Sequence, residues 1–200
     1  MTAAVLTGAG SALPAGLDQH AVWEGFFARH YAGLRSAERI FKNTGVRTRH
    51  AVADPVTEDL SGWGTAARMT RYVTEALPLG KQAVAGALDA AGLAPGDVGL
   101  FAVATCTGYA TPGLDIRLAQ DLGMPAQLQR LLVGHMGCYA ALPGLAAVSD
   151  FVAARARPAV ESSSSTTPPT CRPRTSGTRG ESPMRNPRSV TSQVMWSAVA

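Results

Sequence analysis

Apolar residues recur along this chain in two rhythms, a helical one of three to four residues and short continuous runs of strand length. The run at 3–7, bounded by Gly8 and Gly10, predicts a first buried strand. Asp18 is placed to cap a helix whose apolar positions are Val22, Trp23, Phe26 and Phe27. A second helical stretch over 34–43 stops before Gly45, a residue suited to the left-handed conformation at a helix end. Residues 46–52 alternate as a half-exposed strand does. The longest helical pattern covers 65–91, with Met69, Tyr72, Val73, Ala76, Val84, Ala87 and Leu88 on one side and Gly92 at its end. Pro78 lies inside it and lacks a backbone donor, which predicts two helices or one kinked helix.

A turn at Pro95-Gly96-Asp97 leads into 98–104, an unbroken apolar run of the kind covered on both faces of a sheet. The small-residue loop Thr105-Cys106-Thr107-Gly108-Tyr109-Ala110-Thr111-Pro112-Gly113 follows, suited to close approach by a ligand or a second backbone. A helix is expected over 114–121 with Gly123 after it, then a short buried strand, Leu131-Leu132-Val133. A buried Ala/Leu-rich helix continues from Cys138 to residue 156, with Pro143-Gly144 either making its first turn irregular or kinking it, and Arg155 and Arg157 close it. Strands and helices alternating at these lengths imply an α/β fold with a mostly parallel sheet between helices.

Between the last strand and helix stands Gly134-His135-Met136-Gly137-Cys138-Tyr139-Ala140-Ala141. A cysteine at a strand-to-helix turn meets the unpaired N–H groups and positive dipole end of the helix, which favour thiolate over thiol. Cys138 is therefore a candidate nucleophile, and a small buried apolar residue is the alternative. Arg35, Arg39 and Lys42 share one helix face, which spacing alone reads as solvated surface or as an anion site.

Charge and cysteine usage narrow the classes. Residues 1–160 hold 13 Lys/Arg against 12 Asp/Glu, and residues 161–200 hold five Arg against two Glu, so the basic excess belongs to the tail. This argues against a nucleic-acid surface on the folded part. Three cysteines without a C-x-x-C pair give neither a disulfide framework nor a closed zinc site, and His135 with Cys138 alone makes no metal centre. No secretory signal or membrane span is visible, so cytoplasm is the expected compartment. Beyond Glu161 the chain becomes Ser-, Pro- and Arg-rich: 18 Leu occur in 1–160, and 161–200 contain no Leu, Ile, Phe or Tyr. Such a composition predicts disorder over 161–200. An α/β chain should enter another apolar strand there, so a shifted reading frame near residue 160 is expected; a genuine basic tail with an acidic partner is the rival reading.

The strand and loop F-A-V-A-T-C-T-G-Y-A-T-P-G at 101–113, the helix Leu114-Asp115-Ile116-Arg117-Leu118 with Leu122-Gly123, and R-L-L-V-G-H-M-G-C-Y-A at 130–140 resemble the N-terminal half of type III polyketide synthases. These are the chalcone-synthase-like branch of the thiolase fold. The resemblance weakens back through Asn43-Thr44-Gly45-Val46-Arg47-Thr48-Arg49 and stops near residue 160. It implies that Cys138 takes the acyl group from a starter acyl-CoA and holds the growing chain as a thioester during decarboxylative condensation with malonyl-CoA. It further implies that Cys106, with Thr107 beside it, lines the substrate cavity and that Thr111 reaches across a homodimer. Arg39 falls at a position contacting CoA phosphates, whereas Asn43 replaces a basic residue of the family. Gly134 and His135, where plant members carry Gln-Gln, suggest a bacterial subgroup. No metal, prosthetic group, nucleic acid or membrane is implied.

The family's catalytic His and Asn lie beyond the matched region, and all four histidines here, His20, His30, His50 and His135, precede Cys138. An incomplete thiolase-like domain over 1–160 and an inactive, truncated product are thus expected, with an apolar surface where the second half would pack. A β-ketoacyl synthase III-like enzyme, or a non-catalytic fragment pairing with a full-length homologue, are the alternatives. The intact mass of the expressed protein tests the frame reading: a mass matching the 200-residue tail from an uninterrupted locus overturns it.

Overall fold

The computed structural model describes residues 4–58, 62–155, 157–164 and 189–196, with the backbone alone for Cys138, 163–164 and 189–196. Its centre is β4, Leu100–Thr105, in which all six residues are buried. The alternation of a strand divides them between two faces. Phe101 and Val103 join a core with Ala76, Ala83, Val84, Ala87, Leu88 and Leu118, whereas Leu100 and Ala102 join a second core with Val148, Val152 and Ala159. The first set belongs to α4, Thr65–Ala91, and α5, Leu114–Asp121; in the second, Val148 and Val152 belong to α6, Ala141–Arg155, and Ala159 to the neighbouring strand. Two helical layers thus sandwich one sheet, the α/β arrangement that the alternation of elements predicts.

That sheet has five strands, all parallel, in the order β1 (Val5–Leu6), β7 (Ser189–Trp196), β6 (Ala159–Ser164), β4, β5 (Gln129–Gly134). β4 is paired on both sides, Leu100 with Gln129 and with Ala159, and Thr105 with Gly134 and with Ser164. A second, antiparallel ribbon joins β2, Gly16–Asp18, to β3, Thr48–His50. Asp18 caps the following helix as expected, its Oδ1 accepting from the Ala21 N–H at 2.8 Å. This helix, α1 (Gln19–Val22), widens into a π turn over Trp23–Phe27 and ends as α2, Ala28–His30. α3, Arg35–Lys42, packs on it through Phe41, whose ring centroid lies 5.1 Å from that of Trp23 and 5.3 Å from that of Phe27.

Several expectations need correction. The first strand is short and lies at the sheet edge: Leu6 is 62% exposed. β5 is likewise an edge strand, with Leu132 44% exposed, because nothing among the described residues pairs on its far side. Of the two readings around Pro78, two separate helices are excluded: α4 runs through it as one 27-residue helix to Gly92 in the left-handed conformation, φ 66°. Of the two outcomes expected at Pro143, the irregular first turn is the one found: a 3₁₀ turn at Gly137–Tyr139 precedes α6. The helix begins at Ala141, so Pro143 occupies the first turn, where an N–H has no partner to lose.

The region 161–200 also departs from uniform disorder. Residues 161–164 continue β6, and 189–196 form β7; residues 165–188 and 197–200 lie outside the described residues. Strand position here follows from ladder pairing with β4 and β1, which side-chain composition does not report. A bulge between Val160 and Glu161 shifts the register against β7. Among the described residues, no helix is long and apolar enough to cross a membrane.

Glu161 carries the cost of that placement. It is fully buried on the α6 side, neither carboxyl oxygen has a hydrogen-bond partner, and a Cβ at Gly144 would stand 2.4 Å from its Oε1. Desolvation pushes its pKa up from 4.5 to about 7. The folded state therefore binds this proton more tightly than the unfolded state, and stability falls as pH rises from 4.5 through about 7. At ~1.4 kcal/mol per pKa unit, ionised Glu161 costs on the order of 3 kcal/mol. Glu161→Gln should stabilise the chain at pH 8, with little effect at pH 4.5, as read by denaturant titration at both values.

Candidate active site

The carboxyl ends of β4 and β5 finish side by side, since Thr105 pairs with Gly134, and a cleft of about 160 Å³ opens there. Strand ends of this kind are the usual ligand sites of open α/β sheets. Tyr72, Thr105, Gly108, Tyr109, Leu114, Leu132 and His135 are among its walls. Its inner side is made of buried residues, Tyr72 (6% exposed), Thr105 (4%) and Leu114 (3%). Its rim is open, with Tyr109 57% and Leu132 44% exposed.

The loop after β4 is held at several points. The Tyr72 hydroxyl on α4 and the Thr105 hydroxyl share a buried 2.7 Å hydrogen bond. The Tyr109 N–H donates to Met69 Sδ at 3.3 Å, and the Tyr109 ring centroid lies 6.2 Å from that of His135. At Gly108 a Cβ would fall 2.2 Å from Cγ of Tyr72, so only glycine lets the loop lie on this ring. Arg117 Nε donates to the Pro112 carbonyl at 3.0 Å, and Asp115, nearly buried, faces Arg130 of β5 at 3.5 Å.

Cys138 lies in a 3₁₀ turn, Gly137–Tyr139, between β5 and α6. The chain reverses there through two left-handed residues, His135 (φ 60°) and Gly137 (φ 70°). Left-handed backbone is costly for a non-glycine residue, so His135 is strained where it borders the cleft. The turn sets the Cys138 backbone ahead of the α6 N-terminus, as the strand-turn-helix reading requires; its side chain lies outside the described part of the structure.

The other expected site residues are unequally placed. Cys106 and Thr107 follow the cleft residue Thr105 directly. Cys106 is half-buried and not disulfide-bonded, and the Thr107 hydroxyl is buried without a hydrogen-bond partner. Thr111 is exposed on the loop, just before α5. Arg39 is not at the cleft: it is exposed on α3 and, among the described residues, makes no ion pair. Lys42 on the same helix is bound to Glu38 at 2.8 Å and to Glu24 at 3.2 Å, which raises its pKa and leaves Arg39 the more available cation. Among the described residues, no three His, Cys, Asp or Glu side chains gather where they could hold a metal ion. Tyr72, Gly108 and Met69 escaped the sequence reading. Tyr72 and Met69 sit at helical apolar spacing, which marks core, and only the fold turns that face to the loop.

The family model for the N-terminal domain of chalcone and stilbene synthases matches residues 2–176. The chain belongs to that family. The match runs past residue 160, beyond the point where the motifs fade. The 1,3,6,8-tetrahydroxynaphthalene synthase of Streptomyces peucetius subsp. caesius is 39% identical over 115 residues, 57% of this chain and 30% of the relative. A β-ketoacyl-[acyl-carrier-protein] synthase III of Mesorhizobium japonicum is 34% identical over 125 residues, 62% of this chain and 31% of that protein. The crystal structure of 1,3,6,8-tetrahydroxynaphthalene synthase from Streptomyces coelicolor A3(2), a bacterial type III polyketide synthase, matches with a TM-score of 0.69 at 27% identity. That match covers 77% of this chain and 44% of the crystallised one. The chain thus shares the thiolase-like fold of type III polyketide synthases over their N-terminal part, and spans about 30% of the length of the curated relatives it matches.

Gly108 yields a direct test. Gly108→Ala should destabilise the chain by about 1–3 kcal/mol through overpacking against Tyr72, and most of that loss should vanish in a Tyr72→Val background, as measured by a double-mutant cycle in denaturant.

Proposed function

We propose that this chain carries the nucleophile of an acyltransferase of the type III polyketide synthase family. The Cys138 thiolate attacks the carbonyl of a starter acyl-CoA and forms the acyl-thioester, while CoA departs as a thiolate and takes up a proton. Malonyl-CoA loses CO2, and the resulting enolate attacks the Cys138 thioester carbonyl. The new carbon–carbon bond forms as the Cys138 thiolate leaves, and the product is a β-ketoacyl-CoA. The observation that carries this reading is the family match over 2–176; it is supported by the position of Cys138 in the turn that follows β5, whose end borders the cleft.

The remaining site residues take roles consistent with their placement. Thr107, buried and unpartnered, offers a hydroxyl to a substrate oxygen; Cys106 shapes the wall beside it. Arg39, exposed and unpaired by a carboxylate, receives CoA phosphates. Thr111, on the exposed part of the loop, meets the second subunit of a homodimer. The compartment is the cytoplasm, and the reaction uses CoA thioesters as substrates without a cofactor. A second reading, a β-ketoacyl synthase III-like condensing enzyme, is favoured by the 34% identity to the Mesorhizobium japonicum protein. It differs in acyl carrier and product, while the T-C-T-G-Y-A-T-P-G loop and the family match favour the first.

The 200 residues alone supply no histidine after His135 to stabilise the thiolate or the enolate. The polypeptide is accordingly expected to load slowly and not to turn over. Incubation with hexanoyl-CoA followed by peptide mapping should show a hexanoyl adduct at Cys138, absent in Cys138→Ala. The same protein should release no CO2 from malonyl-CoA above the Cys138→Ala background. An adduct confined to Cys106 or Cys171 defeats the nucleophile assignment; CO2 release above background defeats the claim of inactivity.

A further inference from the structure

The inner wall of the cleft has a component that the condensation chemistry does not use. Tyr72 projects from α4 between the core and the loop after β4, 6% exposed, and belongs at once to the cleft lining and to the cluster containing Ala12 and Ala76. Two constraints hold it in place. Its hydroxyl shares the 2.7 Å hydrogen bond with Thr105, itself 4% exposed, and its ring lies against Gly108 with no room for a Cβ between them. A buried hydrogen bond at one end and backbone contact across the ring face leave the side chain no path out of the cleft.

The space left in front of the ring is small and mostly apolar. At about 160 Å³ it falls below the ~300–1,000 Å³ usual for drug-sized ligands. Leu114 and Leu132 face it, and no charged group closes its inner end. We infer that Tyr72 determines acyl-length specificity: its ring ends the cleft, which therefore accepts a short acyl group and stops a long one. The inference rests on the acyl-CoA reading proposed above and adds the class of acyl group. Tyr72 is a specificity-determining residue, and the chemistry at Cys138 does not depend on its hydroxyl.

The test uses the full 200-residue chain with Cys138→Ala throughout, so that binding is read without acyl transfer. Dissociation constants for butanoyl-CoA and dodecanoyl-CoA are measured by calorimetry for Tyr72, Tyr72→Phe and Tyr72→Val, each checked for its fold by circular dichroism. With Tyr72 or Phe, dodecanoyl-CoA should bind no more tightly than butanoyl-CoA. With Val, the affinity for dodecanoyl-CoA relative to butanoyl-CoA should rise at least tenfold. Should Tyr72→Val unfold, Tyr72→Leu, which keeps more apolar volume but loses the ring, replaces it with the same expected direction. A folded variant that binds both thioesters with the original length profile overturns the role of Tyr72 and leaves the acyl-CoA reading standing. Failure of every variant, including the one with Tyr72, to bind either thioester overturns both.

Discussion

Everything in this molecule hangs on the burial of β4 from both sides. A strand that is paired along both edges and covered on both faces has no water to fall back on, so each backbone group must find a partner and each side chain a neighbour. β5 and β6 supply the first, with Leu100 and Thr105 each matched on both sides. α4, α5 and α6 supply the second. The strand's end at Thr105 is consequently fixed, and so is the loop that begins there. The turn that carries Cys138 inherits its position from the same ladder, because β5 stops in register with β4 before the chain folds back into α6.

A related economy operates at the N-terminal segment. Gly8 and Gly10 run so close to α4 that a Cβ would meet Ala87 O at 2.5 Å and Ala83 O at 2.2 Å. Small residues on both partners bring backbone against backbone, and the segment then reaches the sheet edge as β1. Nearer its N-terminus the same face of the helix presents Tyr72 to the loop. α4 thus links the N-terminal crossing, the core and the cleft, and a substitution in one is felt by the others.

Much of this was legible in the residues because local chemistry and tertiary position agreed. α5 ends where Gly123 predicts it, with φ 67°; Asp18 caps its helix; and 98–104 contains the twice-covered strand. What escaped notice depends on neighbours distant in sequence. An apolar run does not say whether a strand is central or at an edge, which is why Leu6 and Leu132 are more exposed than their type suggests. The irregularity that Pro143 implies is the 3₁₀ turn at Gly137–Tyr139, and the regular helix starts only at Ala141. Serine-rich composition concealed the strand positions at 161–164, since ladder bonds belong to the backbone. Tyr72 read as one more core residue, and nothing in its spacing separates packing from the lining of a cleft.

The outer side of β5 has a consequence for how the chain behaves with others of its kind. Among the described residues nothing pairs with that edge, and its exposed Leu132 is joined nearby by Met136 (44% exposed), Tyr139 (57%) and Leu142 (62%). An open row of donors and acceptors flanked by apolar side chains is a template for strand addition. A strand added at this margin would satisfy those backbone groups and cover the apolar side chains together, so the chain's solubility is tied to what caps that row.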